Sequence, residues 1–216
     1  MPSHIKAVIF DLFGTLTNGQ ANPEDRIVKA FGLDTSEDYS RFVEQVVCAS
    51  VHKSKEEYIA ILMERLRIKD TPNNVEILKN IFVEDLRGEV IRPEAVGVLE
   101  TLAGRGMKLG LISDLPNEDY DLPRRQGFKH LFGVTTYSYE TGVLKPDPRP
   151  FQRTLAGLGT TPQETIMVGN SLRSDIEPAK QIGMFAILFD VYNKYPQYSP
   201  KISDLRSVYG FLQDTS

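Results

Sequence analysis

A short apolar run near the start of the chain, Ala7-Val8-Ile9-Phe10, ends on a carboxylate, Asp11. The run is followed at once by Leu12-Phe13-Gly14-Thr15-Leu16-Thr17, a segment that contains one glycine and two hydroxyl groups. A continuous apolar run of this length, bounded by a turn signal, is typical of a buried strand in a parallel sheet. We therefore expect Asp11 at the carboxyl end of such a strand, where open parallel sheets place their ligand sites.

Three further polar groups follow Asp11 in a fixed order along the chain. Ser113 comes after the apolar run Leu109-Gly110-Leu111-Ile112. Lys145 lies in Gly142-Val143-Leu144-Lys145-Pro146-Asp147, and Asp175 ends the segment Val168-Gly169-Asn170-Ser171-Leu172-Arg173-Ser174-Asp175. Three of the four groups therefore follow a run that resembles a buried strand, so we expect them at one edge of a sheet.

This order of Asp, Ser, Lys and Asp resembles the four motifs of the haloacid dehalogenase-like hydrolase superfamily, and the resemblance covers most of the chain. It implies an aspartate nucleophile, because in that family the first Asp attacks phosphorus, or carbon in the dehalogenases. The product of that attack is an ester between substrate and enzyme. The resemblance also implies a Rossmann-like core with a helical cap of the C1 type.

The pattern of apolar residues predicts an α/β fold with a Rossmann-like parallel sheet and an inserted all-α cap of four helices. Strands are expected at 108–113, 133–137, 165–169 and 185–189, alternating with helices at about 93–105, 119–127, 148–158 and 175–182. The cap helices are expected at 23–31, 37–49, 55–66 and 73–86. This gives a core of residues 1–17 plus 91–216 and a cap of residues 18–90, with polar joints near 18–21 and 88–93.

The C-terminal segment carries Tyr192, Tyr195 and Tyr198 among prolines and lysines. It is interpreted as a surface loop packed back on the core, followed by a last short helix at about 203–213.

Composition excludes several classes of protein. With 216 residues, a net charge of -4 and a pI near 5.5, the chain lacks the basic character of a nonspecific nucleic-acid binder. Its one cysteine, Cys48, allows no intrachain disulfide and is expected to be a buried helix residue. No segment approaches the 18 apolar residues of a membrane span, so we expect a soluble, cytoplasmic protein with no membrane partner. The oligomeric state stays open.

The catalytic set expected from these motifs is Asp11, Thr15, Ser113 and Lys145. A carboxylate is a competent covalent nucleophile when the developing charge is neutralised, and Asp11 is assigned that role. Gly14 would let backbone N–H groups approach an anion closely, and Thr15 adds a hydroxyl beside them. Ser113 and Lys145 would hold the phosphoryl oxygens, with Lys145 keeping Asp11 ionised. The expected contacts to a small anionic substrate are Phe13, Gly14, Ser113, Asp114 and Lys145.

A magnesium site is expected beside the nucleophile. Mg²⁺ prefers octahedral oxygen ligands and keeps several waters. Asp11, the Phe13 main-chain carbonyl, Asn170 and Asp175 could hold it, although Asp175 could also be the N-cap of the next helix. The resembled family usually has Asp where this chain has Asn170. An amide oxygen brings no charge, so we expect weaker metal binding than in an Asp version.

The chain departs from the phosphatase pattern at Phe13. Phosphatases of the resembled family carry a second Asp there, which protonates the leaving alkoxide, and a phenyl ring cannot move a proton. General acid-base catalysis commonly contributes about 10²- to 10⁴-fold.

Three functions therefore remain open. The first is a Mg²⁺-dependent phosphohydrolase that uses another acid, such as Asp114 or a cap residue. The second is a metal-independent 2-haloacid dehalogenase, in which the halide needs no proton and a cap arginine, Arg26 or Arg41, would hold it. The third is a catalytically weak member that binds a ligand or partner.

Overall fold

The protein folds around one six-stranded parallel sheet. The computed structural model describes residues 4–19 and 21–212. The sheet has the order β3-β2-β1-β4-β5-β6, and every neighbouring pair is parallel. Its strands are β1 (Ala7–Phe10), β2 (Lys108–Ser113), β3 (Val134–Tyr137), β4 (Thr165–Gly169), β5 (Phe185–Phe189) and β6 (Lys201–Ile202). This is the predicted α/β fold with a Rossmann-like core.

The helices fall into two sets. Those between β1 and β2 are α1 (Pro23–Phe31), α2 (Glu37–Cys48), α3 (Lys55–Arg65), α4 (Pro72–Arg87) and α5 (Ala95–Gly104). The later ones are α6 (Leu122–Arg125), α7 (Ser138–Thr141), α8 (Pro148–Leu158) and α9 (Glu177–Gln181). None of the described helices is long and apolar enough to cross a bilayer.

Local sequence signals explain where the helices begin and end. The Asn22 side chain accepts the Asp25 N–H at the start of α1, and Pro23 occupies its first turn. Asp147 accepts the Arg149 N–H before α8, which ends at Gly159 in the left-handed conformation. A polar N-cap, a proline in the first turn and a glycine after the last are the residues that favour such boundaries.

Most predicted elements agree with the structure within two residues, but three do not, and two short elements, α7 and β6, were not predicted. The predicted helix 119–127 is a 3₁₀ turn, Glu118–Tyr120, followed by the short α6. The predicted helix 175–182 begins earlier, with a π-helical turn at Leu172–Ile176. The C-terminal helix is a 3₁₀ segment, Leu205–Phe211. Strand β6 was not predicted, because two residues are too few to show an apolar run or an alternating pattern.

Some predictions concern residues outside the described set. These are the two ends of the predicted core domain at 1–3 and 213–216, Gln20 in the first joint, and the end of the last helix. The described parts of the two joints lie side by side, since Thr17 and Ile91 form an antiparallel bridge and Asn18 N donates to the Val90 carbonyl at 2.9 Å. The division into two domains stays a prediction, and "cap" below means residues 18–90.

Both faces of the sheet are buried, as predicted. Alternate residues of β1 enter different apolar clusters: Val8 and Phe10 join the larger one, whereas Ala7 and Ile9 join the one beneath α8 and α9. The larger cluster continues into the cap helices through Leu12 and Leu16. Cys48 is buried at the end of α2, as expected. Tyr195 and Tyr198 pack on the smaller cluster, but Tyr192 is 81% exposed.

The topology fixes where polar side chains can meet. Strand β1 lies between β2 and β4, so the chain turns in opposite directions on the two sides of β1. Ligands of open parallel sheets bind outside the carboxyl ends of the strands at this position. Asp11 follows β1, Ser113 ends β2, and Asn170 follows β4, which places all three at that edge.

Gly110, in the middle of β2, tests the close packing of α8 on the sheet. A Cβ atom there would lie 2.8 Å from Thr154 Cγ2 and 3.1 Å from Leu158 Cδ1. We expect Gly110→Ala to lower the free energy of unfolding by about 1–3 kcal/mol through overpacking. The matched control is Gly97→Ala on the exposed side of α5, where nothing lies within 4 Å of the new atom and a gain of about 0.5–1 kcal/mol is expected. Urea denaturation measures both, and equal effects would contradict the packing.

Candidate active site

A buried ammonium group joins two of the predicted carboxylates. Lys145 Nζ donates to Asp11 Oδ1 and to Asp175 Oδ1, both at 2.7 Å. The three residues are at most 7% exposed. Asp175 lies inside the π-helical turn, and its Oδ2 accepts the Ser171 N–H at 3.0 Å. The N-cap of that turn is Ser171, so the capping role considered for Asp175 is wrong.

The loop after β1 brings Thr15 and Asn170 to Asp11. Thr15 Oγ1 donates to Asp11 Oδ2 at 2.9 Å and lies 3.4 Å from Asn170 Oδ1. Gly14 has φ +77°, and a Cβ there would come within 2.2 Å of Asn170 Nδ2. Glycine is therefore required at position 14 both by the backbone conformation and by the close approach of Asn170.

The amide cradle expected at Gly14 is not present in the predicted form. The Gly14 N–H donates to Thr17 Oγ1 at 3.1 Å, and the N–H groups of Thr15 and Leu16 donate to the Leu12 carbonyl. In the described part of the chain, the amides of Leu12 and Phe13 have no backbone acceptor. Any backbone donors to an anion here are therefore those of Leu12 and Phe13.

Sequence reasoning missed Arg92, which fixes the same loop from outside. Arg92 Nε donates to the Thr15 carbonyl at 2.9 Å, and its guanidinium lies 4.7 Å from the centre of the Phe189 ring. Thr17 was also given no role, although it belongs to the hydroxyl-rich loop. The position of Arg92 in the return joint, directly before Pro93, was the available sequence signal.

The end of β2 supplies a hydroxyl and a third carboxyl. Ser113 is buried, and its strand pairs with β1 so that Leu111 lies opposite Phe10. Asp114 is half-buried, and its Oδ1 accepts the Lys145 N–H at 3.2 Å. The structure thus shows Asp114 positioning the backbone of Lys145, whereas its predicted contact with substrate stays a prediction.

Burial changes the protonation expected for these groups. It raises the pKa of Asp11 to about 6; Lys145 opposes the rise and Asp175 adds to it. Burial likewise raises the pKa of Asp114 to about 7, again against Lys145. For Lys145, burial is outweighed by Asp11, Asp175 and Asp114, which hold its pKa above the ordinary value. In the absence of a bound cation, Lys145 therefore does not keep Asp11 fully ionised at pH 6.

Phe13 packs against a core tyrosine that is itself hydrogen-bonded to the cap. Its ring packs edge-on against Tyr120 with the ring centres 6.0 Å apart. The Tyr120 hydroxyl donates to Asp85 Oδ2 of α4 at 3.0 Å. Asp85 also pairs with Arg26, at 2.9 Å from Arg26 Nε. Arg26, one of the two arginines considered for a halide, is therefore bound within the cap.

A cavity of about 450 Å³ lies between α2 of the cap and the core, and Lys145 forms part of its wall. Arg41, Glu44 and Gln45 line it from the cap, and Arg173 and Arg149 line it from the core. Of the two cap arginines considered, Arg41 is the one that lines a cavity together with Lys145. Glu44 and Arg173 had not been recognised from the sequence.

The donor set suits a hard cation but is sparse. No group of three or more His, Cys, Asp or Glu side chains capable of holding a metal occurs in residues 4–19 and 21–212. The side chains that converge on Thr15 and Lys145 are two carboxylates, Asp11 and Asp175, and the Asn170 amide. All are oxygen donors, which fits Mg²⁺. Because position 170 carries an amide where the family usually has a carboxylate, the site offers a metal ion one charged ligand fewer.

Comparison with known proteins gives a consistent family. The family model of the haloacid dehalogenase-like hydrolases matches residues 5–183. A phosphoserine phosphatase of Thermus thermophilus is 32% identical over 146 residues, which cover 64% of this chain but only 57% of that enzyme. A glyceraldehyde 3-phosphate phosphatase of Methanopyrus kandleri is 28% identical over 212 residues, covering 93% of this chain and 90% of the relative.

Solved structures share the fold. A HAD phosphatase from Thermococcus onnurineus superposes with a TM-score of 0.65 at 22% identity, covering 96% of this chain and 97% of the other. A 2-haloacid dehalogenase from Pseudomonas syringae gives a TM-score of 0.67 at 23% identity, covering 95% and 97%. At these identities the similarity concerns the architecture, which phosphatases and dehalogenases have in common.

The raised carboxyl pKa values predict an unusual pH dependence of stability without metal. Ionising a buried carboxyl whose folded pKa is raised costs free energy, so its penalty is absent below about pH 4 and complete above the folded pKa. The pKa of Glu24 is also raised by burial, to about 8. In EDTA we therefore expect the free energy of unfolding to rise as pH falls from 8 to 5, by at most about 1.4 kcal/mol per pH unit for each group.

Urea denaturation at several pH values measures this trend. Asp11→Asn should flatten the curve near pH 6, and Glu24→Gln should raise stability at pH 8. A free energy of unfolding that is highest at pH 8 and declines toward pH 5 would show that these carboxyls are not held in a desolvated site.

Proposed function

This chain belongs to the haloacid dehalogenase-like hydrolase family, and from that premise we propose that it is a Mg²⁺-dependent phosphohydrolase acting on a small phosphorylated metabolite through an aspartyl-phosphate. The observation that carries the proposal is the buried contact of Lys145 with both Asp11 and Asp175 at 2.7 Å. A fixed ammonium beside a nucleophilic carboxylate suits the transfer of an anionic phosphoryl group. Relatives named as phosphatases of phosphoserine, glyceraldehyde 3-phosphate and phosphoglycolate support this reaction class.

In the first step, one carboxylate oxygen of Asp11 attacks phosphorus while the bond from phosphorus to the leaving oxygen breaks. Each Asp11 oxygen accepts one hydrogen bond, from Lys145 or from Thr15, and retains a lone pair for the attack. These two donors fix the orientation of the carboxylate, which lowers the entropic cost of reaching an in-line geometry.

The anion would be held by groups that surround Asp11 on the core side. The Leu12 and Phe13 amides, the Ser113 hydroxyl and the Lys145 ammonium are the donors at this edge of the sheet. A Mg²⁺ bound by Asp11, the Phe13 carbonyl, Asn170 and Asp175 would neutralise charge on the phosphoryl oxygens. In the second step, water attacks the phosphorus of the ester, and Asp11 is released as a carboxylate with inorganic phosphate.

A second candidate function, 2-haloacid dehalogenation, is favoured by Phe13. Displacement of a halide by Asp11 needs no proton donor, and an aromatic residue occupies this position in the dehalogenases that the chain resembles. Arg41 lines the cavity beside Lys145, but it also pairs with the exposed Glu37 of its own helix, so a halide bound there would compete with that surface ion pair. This reaction needs no metal, so metal dependence separates the two functions.

The proposed function predicts phosphate release that depends on Mg²⁺. The purified chain is incubated with acetyl phosphate, p-nitrophenyl phosphate, phosphoserine, phosphoglycolate, glyceraldehyde 3-phosphate and 2-chloropropionate, each with Mg²⁺ or with EDTA. We expect phosphate release with Mg²⁺ only. Asp11→Asn should lower that rate by more than about 10³-fold, because loss of a nucleophile costs more than loss of one hydrogen-bond donor.

The control for this variant is Asp70→Asn, which makes the same change on an exposed residue and should keep the parent rate. Chloride release that EDTA leaves unchanged would replace the phosphatase by the dehalogenase. Turnover of none of these compounds would favour the catalytically weak, ligand-binding alternative.

Asn170 provides a separate test of the metal site. Asn170→Asp adds a charged ligand, so we expect the affinity for Mg²⁺ to rise by at least about tenfold. The same change should lower stability in EDTA, because a third carboxylate joins Asp11 and Asp175 without a second cation. Isothermal titration and urea denaturation measure the two effects. A variant with unchanged Mg²⁺ affinity would show that the cation does not bind at Asn170.

A further inference from the structure

The hydrolysis of an alkyl phosphate by this site lacks an obvious source of one proton. The alkoxide that leaves phosphorus is strongly basic and has to be protonated as it departs. Phe13 occupies the position of the usual acid and cannot supply a proton. The proposal below rests on the proposed phosphatase function and concerns the group that supplies this proton.

In-line displacement restricts where the donor can lie. The attacking and leaving oxygens are on opposite sides of phosphorus. Asp11 attacks from the carboxyl edge of the sheet, so the leaving oxygen points away from that edge, toward the cap. A donor on the cap side can reach the leaving oxygen directly, whereas a donor at the level of the strand ends reaches it only from a loop that extends past the nucleophile, as position 13 does in the family pattern.

Glu44 is the carboxyl of the cap that shares a cavity with Lys145, whose ammonium contacts Asp11 at 2.7 Å. It lies on α2 and lines the same 450 Å³ cavity as Lys145. Its carboxyl is half-buried, and Arg41, one turn away on the same helix, is bonded to Glu37 instead. Glu44 is therefore not paired with Arg41, and its side chain can extend into the cavity without breaking an ion pair between the two.

The surroundings of Glu44 favour the protonated form of its carboxyl. Burial raises the pKa of Glu44 above its ordinary value, while Arg173, Arg41 and Lys145 oppose the rise. Glu24 of α1 and the Cys48 thiol also lie close enough for the Glu44 charge to act on them. A general acid works best when its pKa lies near the working pH.

Two other carboxyls are less well placed for this role. Asp114 follows β2 at the level of Asp11, and its Oδ1 already accepts the Lys145 N–H. Glu24 has a buried Oε2 without a hydrogen-bond partner in the described structure. The charges that act on it are those of Glu44, Asp85 and Asp25 of the cap. Neither residue lines the cavity that contains Lys145.

We propose that Glu44 is the catalytic proton donor of this enzyme, supplied by the cap in place of the missing core aspartate. As the bond between phosphorus and the leaving oxygen breaks and Asp11 becomes esterified, the Glu44 carboxyl transfers its proton to that oxygen. Glu44 is then a carboxylate. In the second step it takes a proton from the attacking water and returns to its starting form, so protons balance over the cycle.

The test uses leaving groups that differ in their need for a proton. Acetate leaves from acetyl phosphate as a weak base, whereas phosphoglycolate, phosphoserine and glyceraldehyde 3-phosphate release an alkoxide. With Mg²⁺, we expect Glu44→Gln to lower kcat/KM for the alkyl phosphates by about 10²- to 10⁴-fold. The kcat/KM for acetyl phosphate should stay within about threefold of the parent value, because acetate leaves without needing a proton from an acid.

A rescue variant and a control accompany this experiment. Phe13→Asp returns a carboxyl to the usual position. In the double variant Phe13→Asp with Glu44→Gln, we therefore expect kcat/KM for the alkyl phosphates to be more than about tenfold higher than in Glu44→Gln alone. Glu64→Gln, the same change on an exposed residue of α3, should match the parent on every substrate.

The outcomes separate this inference from the function on which it rests. Equal loss on acyl and alkyl phosphates would make Glu44 a binding residue and overturn its role as an acid. Unchanged rates in Glu44→Gln, or a parent that hydrolyses acetyl phosphate but no alkyl phosphate, would overturn it as well. A parent that releases no phosphate from any compound would instead refute the phosphatase function itself.

Discussion

The Lys145 ammonium, shared between Asp11 and Asp175, is the interaction on which the site depends. Two carboxylates that are almost entirely buried repel each other and lose their hydration, so the pair is stable only with a cation between them. Lys145 comes from the loop after α7, Asp11 follows β1, and Asp175 follows β4. One charged contact therefore fixes the relative positions of three segments that are far apart in sequence, and Asp114 secures the backbone of the lysine.

The parallel sheet brings these three segments together, and the cap adds further charged side chains beside them. Carboxyl ends of parallel strands gather polar loops at one edge of a sheet, so the core brings together the groups to which we assign anion binding and the nucleophile. Arg41 and Glu44 belong to a helix inserted between β1 and β2. The apolar cluster of the core includes Leu12 and Leu16 and extends into this insert, and α2 lines a cavity together with Lys145.

The sequence predicted the strands and the long helices well, because continuous apolar runs and three-and-four spacing are strong signals. It failed where the signal is short or comes from contacts. Strand β6 has two residues, and the turn at Leu172–Ile176 is π-helical, a conformation with no simple sequence period. The occupation of the Gly14 amide by Thr17 and the contact of Arg92 with the Thr15 carbonyl depend on tertiary geometry. Burial, which raises the pKa of Asp11 to about 6 against the attraction of Lys145, also depends on tertiary geometry, and the prediction that Lys145 keeps Asp11 ionised stays a prediction.

The two departures from the family pattern, Phe13 and Asn170, act in the same direction. Each puts an uncharged side chain where the family pattern has a carboxylate, in a site where Asp11 and Asp175 share one ammonium that Asp114 also attracts. Fewer carboxylates reduce repulsion toward a phosphate dianion. The cost of Asn170 is weaker cation binding, and the cost of Phe13 is the loss of the usual core acid. If the proton comes from Glu44, an alkyl phosphate can react only while the cap covers the site. Closure then selects the substrate and completes the catalytic set in one event.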